Sequence, residues 1–196
     1  MELKDLIGGD AFMKAINSDD PASIDDFMKA LNSLDISGLV EEYNERNEGF
    51  LKMGAEELLS LDDNMLYSAL VTRLLHEMDE TPDDPLEALQ GAKHDLLIAD
   101  VFSMEMSDGG LHDFFEYHGR DYARYVLPML ENIGADEHYR LFEGFVGRNG
   151  IDLENADSWK DLSEYPFSEY DEAFFETEEP FLDIIVRYCR EHIGEF

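Results

Sequence analysis

Leu89, Ala92, Leu96, Ala99 and Met106 recur close to every 3.6 positions, and Leu97, Val101 and Met104 widen the apolar arc to most of the circumference. This pattern predicts a helix buried on several sides. It stops at Gly109-Gly110, where a glycine can take the left-handed conformation without a Cβ clash. Ser107 or Asp108 is placed to cap a second helix, whose Leu111, Phe114, Phe115 and His118 share one face. The stretch Glu105 to Phe115 therefore reads as a hinge between two helices.

The rest of the chain follows the same period. Asp20-Pro21 is a helix start, followed by a stripe of Ile24, Phe27, Met28 and Leu31. Leu39, Val40, Tyr43 and Phe50 predict a helix closed near Gly54, and Ser60-Leu-Asp-Asp63 resembles a capping box leading into Leu66, Ala69, Leu70, Arg73, Leu74 and Met78. Residues 120–133 are helical in pattern, with Ala123, Val126, Leu127 and Leu130 inward, Pro128 predicted to kink or restart the helix, and Gly134 as its end. Leu141, Phe142, Phe145 and Val146 precede a stop at Asn149-Gly150, and Leu182, Ile185, Val186 and Cys189 share a face of the last helix. No alternating strand pattern and no internal repeat is present. The fold class is all-α: a compact multi-helix domain over residues 61–196, with residues 1–60 as an N-terminal helical segment packed on it.

Charge changes this picture most. The 196 residues carry 47 acidic and 14 basic side chains, a net charge of -33, and 44% of them are apolar. Acids alternate with apolar positions at helical spacing, which argues for a folded chain with an acidic surface over a disordered one. Phosphates would be repelled, so nucleic acid is not a direct partner, and an electrostatic partner should itself be basic. The single cysteine, Cys189, excludes a disulfide framework, and the start of the chain lacks the pattern of a signal peptide. A cytoplasmic protein with no membrane partner is the expectation.

Two stretches concentrate the acid. Residues 77–87 hold six acids and no base around Pro82 and Pro85, reading as a negative loop; residues 152–183 hold twelve acids against Lys160 alone. The second stretch also contains Trp159, Tyr165, Phe167, Tyr170, Phe174 and Phe175, so its rings must pack while its carboxylates face water.

Catalytic chemistry is hard to find. Glu41-Glu-Tyr-Asn-Glu45 resembles the carboxylate half-site of all-α nucleotide pyrophosphohydrolases, but the next such spacing, Glu80-Thr-Pro-Asp83, falls in the proline loop. His112 and His118 are six apart, His76 lacks a second zinc-ligand histidine, and His118 reads as a satisfied core residue. Asp100 lies within the apolar arc of its helix and is expected to be a raised or paired carboxyl held by a Tyr or Arg. No phosphate loop, nucleophile elbow or dinucleotide fingerprint is present, so no catalytic residue, metal or cofactor is assigned.

The run Glu105-Met-Ser-Asp-Gly-Gly-Leu-His-Asp-Phe-Phe115, then Ile133-Gly134-Ala135, then Phe167-Ser-Glu-Tyr-Asp-Glu-Ala-Phe-Phe175 and a final amphipathic helix, resembles the bacterial DNA-mimic protein (DMP) domain family over residues 62–196. Glu105, Asp108, Gly109, Gly110, Phe114 and Phe115 carry the core of the likeness. The resemblance implies an all-helical, non-enzymatic protein that presents DNA-like negative charge to a DNA-binding protein.

Bulk acidity does not by itself make a mimic. By surface scaling the chain exposes on the order of 9,500 Å², about 290 Å² per net charge; duplex DNA, at one charge per ~1.7 Å of axis, carries about one per 100 Å². Only clustered carboxylates could match phosphates. The candidates are Glu154, Asp157, Asp161, Glu164, Glu169, Glu176, Glu178 and Glu179, with Asp79, Glu80, Asp83 and Asp84 as a second group. The alternatives are a protein-binding or immunity-type helical module using apolar contacts around the hinge, with acidity serving solubility, and a carboxylate metal-dependent hydrolase built on Glu41, Glu42 and Glu45.

Overall fold

The computed structural model describes residues 37–80 and 84–196. The helix expected from Asp20-Pro21 through Ile24, Phe27, Met28 and Leu31 lies outside them, as does Asp83. The chain divides into two units, residues 1–48 and 49–196. Helix α1 (Ser37–Lys52) begins in the first, where the Arg46 guanidinium stands 5.2 Å over the Tyr43 ring; Glu41, Glu42 and Glu45 lie on it.

In the second unit, α2 (Ala55–Leu59) opens with a backbone cap, the Gly54 N–H donating to Glu57 Oε2 at 2.8 Å. Helix α3 (Asp63–Glu80) is capped by Asp62, which accepts from the Met65 N–H at 2.9 Å. Ser60 is not the cap: α2 ends at Leu59, and the Ser60 hydroxyl turns back to the Glu57 carbonyl at 2.6 Å. Because buried Leu66, Leu70 and Leu74 lead on to half-buried Met78, α3 continues through Glu77, Asp79 and Glu80, residues expected in a loop. A short α4 (Pro85–Ala88) follows, with Asp84 accepting from the Leu86 N–H at 3.0 Å.

Helix α5 (Gly91–Asp108) is buried on several sides through Ala92, Leu96, Leu97, Ile98, Ala99, Phe102 and Met106, although Met104 is exposed and Val101 half-buried. A short α6 (Gly110–Asp113) runs into a wider π-helical turn (Phe114–His118) and then α7 (Gly119–Asn132), which passes through Pro128 without restarting. Helix α8 (Asp136–Asn149) ends at Gly150, left-handed at φ 63°. Two single 3₁₀ turns (Ala156–Ser158 and Leu162–Glu164) lead to α9 (Phe167–Phe175) and α10 (Phe181–Glu191). Among the described residues no strand occurs, and the fold is all-α.

Phe102 of α5 lies at the centre of this core. Its ring meets Phe114, Phe142, Phe174 and Phe181 edge-on, with centroids 5.1, 5.7, 5.9 and 5.9 Å away. Edge-to-face packing aligns the positive ring edge with the negative face of its neighbour. One residue thereby joins α5, the π turn, α8, α9 and α10. Two arginines tie the ends: Arg73 donates to the carbonyls of Phe50, Met53 and Phe196, and Arg190 to those of Leu59 and Leu61 and to Asp63.

Candidate interaction surface

The hinge differs in detail from its sequence pattern. Gly109, at φ −134° and ψ 7°, is neither helical nor left-handed, while Gly110 takes the left-handed φ of +77°. Neither Ser107 nor Asp108 caps the next helix: Asp108 is the last residue of α5, and the Ser107 hydroxyl donates to the Ser103 carbonyl at 2.9 Å. The cap comes from α9, where Asp171 Oδ1 accepts from the Leu111 N–H at 2.9 Å. A side chain on Gly110 would occupy the space taken by the Asp171 carboxylate. Burial pushes the Asp171 carboxyl above its usual value, and the Leu111 hydrogen bond partly offsets this. The hinge run and the Phe167–Phe175 run are thus two halves of one contact.

Glu105, 7% exposed, places Oε1 2.8 Å from Nδ1 of His118 at the end of the π turn. His118 is half-buried beside this carboxylate and is not a core residue; the π turn carries Phe114 and Phe115 inward and leaves it near the rim. Phe115 packs on Trp159 at 4.9 Å and Phe167 at 5.9 Å, while Phe145 of α8 meets Phe167 and Tyr170 at 5.5 Å each. The rings of the acidic stretch therefore anchor it on the π turn and α8.

Its carboxylates face outward. Glu169 and Glu172 on α9 and Glu176, the residue that ends it, are exposed at spacings of three and four, which puts them on one stripe. The stripe continues into the turn before α10: the Glu178 N–H donates to Glu137 Oε2 at 3.1 Å, bringing this turn against the start of α8. Among the described residues no basic group pairs with Glu154, Glu164, Glu169, Glu176 or Glu178. Two candidates are engaged: Asp157 with Arg120 at 2.8 Å, both well exposed, and Glu179 with Arg187. The Ser163 hydroxyl, and then its backbone N–H, hold the Asp161 carboxyl below its ordinary value.

Asp79, Glu80 and Asp84 lie on different elements from that stripe, at the end of α3 and the cap of α4, and Glu80 is 3.6 Å from His76. His112 Nδ1 lies 3.1 Å from Asp113 and 3.5 Å from Glu116. One ligand-type atom from each falls within 4.8 Å of the others, so these three residues have the spacing to reach a common cation. The sequence weighs His112 only against His118, six positions away, because a His-Asp pair and an i, i+4 Glu are ordinary in so acidic a chain.

The expected partner of Asp100 is Tyr67, whose hydroxyl donates to Oδ1 at 2.5 Å; burial pushes the carboxyl up and this bond opposes it. Asp95, 5% exposed, accepts from the Tyr188 hydroxyl at 2.6 Å and the Asn132 amide at 3.1 Å. These carboxyls join helices, Asp100 tying α5 to α3 and Asp95 tying it to α7 and α10. Burial raises the Cys189 thiol to about 12, which makes it inert. No helix among the described residues is long and apolar enough to cross a membrane.

No curated protein and no solved structure matches the chain. A family model described as DMP19-like protein matches residues 87–192, from within α4 through the whole of α10, more than half of the sequence. The hinge, the Asp171 latch and the acidic stripe all fall within that span, and the chain belongs to the DMP19-like protein family.

Proposed function

We propose that this protein is a non-enzymatic interaction protein that presents carboxylates to a basic, DNA-binding partner in competition with DNA. The observation that carries this reading is the exposed stripe Glu169, Glu172 and Glu176, running into Glu178, on a segment held down by the buried rings of Phe167, Tyr170 and Phe174. An acidic surface serving solubility alone has no need of a rigid backing. Here Phe167, Tyr170 and Phe174 fix α9 to the core and Asp171 latches it to the hinge, so the outward carboxylates keep their spacing. Pre-organisation lowers the ordering penalty of binding.

Family membership supports the same reading, because mimicry of DNA is the function that the family resemblance implies. The test is capture of partners from a lysate of the source organism at low salt, repeated with excess duplex DNA and with high salt. A DNA-binding protein released by both competitors is the expected result, since exposed charge pairs are screened by salt and share the partner's DNA site. A partner that survives both treatments overturns mimicry.

A further inference from the structure

Beside the acidic stripe, α5 and the turn between α9 and α10 enclose a cleft of about 230 Å³, lined by Ser103, Ser107, Phe175, Pro180, Phe181 and Leu182 among others. Its outer wall, Phe175, is 62% exposed, although the other rings of α9 are buried. The volume lies below the ~300–1,000 Å³ usual for small-molecule sites, and suits a single large side chain. Acidic residues interleave with the lining: Glu176, Glu178 and Asp183 are exposed, and Glu179 is bound to Arg187. Residues 169–183 hold seven acids and no lysine or arginine. That rim disfavours nucleic acid, acidic peptides and a second copy of this chain through like-charge repulsion.

We propose that this cleft receives an aromatic or long aliphatic side chain carried on a lysine- and arginine-rich segment of the partner protein, an inference that rests on the acidic-surface reading above. The carboxylates attract and orient the segment, and the apolar anchor sets which basic segment is held. Charge alone steers many basic partners and selects few; a desolvated ring in a pocket supplies the discrimination.

The test uses two fluorescently labelled lysine-rich peptides that differ at one central position, Phe in one and Ala in the other, titrated with the full chain at low and high salt. The Phe peptide is expected to bind about ten-fold more tightly, the order of affinity gained by burying one such side chain. Phe175→Ala and, separately, Ser107→Trp, which fills the cleft from α5, should bring the two peptides to equal affinity. Binding of the Ala peptide should remain unchanged and salt-sensitive. Both substituted residues are exposed, and a thermal melt checks that each variant folds. Equal affinity of the two peptides for the unmodified chain, or a Phe preference that survives both substitutions, overturns the cleft while leaving the acidic surface standing. Failure of both peptides to bind overturns the two readings together.

Discussion

His138 has no solvent access, and its ring lies 4.8 Å from Phe174 and 5.0 Å from Phe181. Its Nε2 is 3.2 Å from the Thr177 hydroxyl, which in turn lies 3.1 Å from the Phe174 carbonyl and 3.2 Å from that of Glu179. The hydroxyl proton goes to a carbonyl, so Nε2 must donate and Nδ1 is left as a buried lone pair without a partner. Burial pushes the histidine below 6.5, and the nearby Glu137 and Glu179 only partly oppose it. The unfolded chain therefore takes up a proton that the folded chain refuses. Stability should fall as the pH drops from 6.5 through the folded pKa and level off below it, because the unfolded state binds more protons in that window. Thermal melts across this range should show a shallower slope for His138→Gln, which keeps a donor for Thr177 and does not titrate. An unchanged slope would remove His138 as the acid-sensitive group that joins α8 to the turn under the acidic stripe.

Two helix starts share a construction that spans the chain. Gly91 and Gly110 each open a helix with a left-handed φ, +58° and +77°, and each packs a distant carboxylate where its own Cβ would stand. Glu195 accepts from the Ala92 N–H and Asp171 from the Leu111 N–H, both at 2.9 Å. The glycine thus gives both the turn and the opening through which a remote acid caps the helix, and the negative group sits at the positive end of the helix dipole. Asp171→Ala should destabilise by ~1 kcal/mol through loss of the cap, and Gly110→Ala by about 1–3 kcal/mol through backbone strain and the displaced carboxylate. Because both act through one contact, the double variant should lose less than their sum in denaturant unfolding; additive losses would mean that Asp171 and Gly110 act independently. This construction also marks the limit of what the sequence made legible. The burial of α5, the break after Asp108 and the aromatic anchoring of the acidic stretch all follow from local period and composition. The caps join residues 60 and 103 positions apart, and periodicity carries no information about such pairings. Hence the local pattern points to Ser107 and Asp108 as caps, does not tell Gly110 from Gly109, and leaves Asp171 unmarked within the Phe167–Phe175 run.

Across the whole molecule the question is whether the charge acts as a field or as a pattern. A net charge of -33 repels itself, and that repulsion reaches about 10 Å at 0.1 M salt. The surface mean falls well short of DNA, and the stripe comes nearer to a single strand: Glu169, Glu172 and Glu176 span seven steps of ~1.5 Å, about one charge per 5 Å of axis, against ~3.4 Å for each DNA strand. Two triple variants of equal net charge separate the cases. Glu169→Gln, Glu172→Gln and Glu176→Gln together erase the stripe; Asp121→Asn, Glu131→Gln and Glu191→Gln remove the same charge from exposed positions on α7 and α10. Both should melt slightly higher than the parent at low salt, with the difference vanishing at high salt, because each relieves the same self-repulsion. Binding to a basic, DNA-competed partner should part them, falling several-fold more for the stripe variant, since phosphate-like spacing is lost only there. Equal losses would mean that the partner senses total charge, and the latched, ring-anchored geometry of α9 would then serve the fold alone.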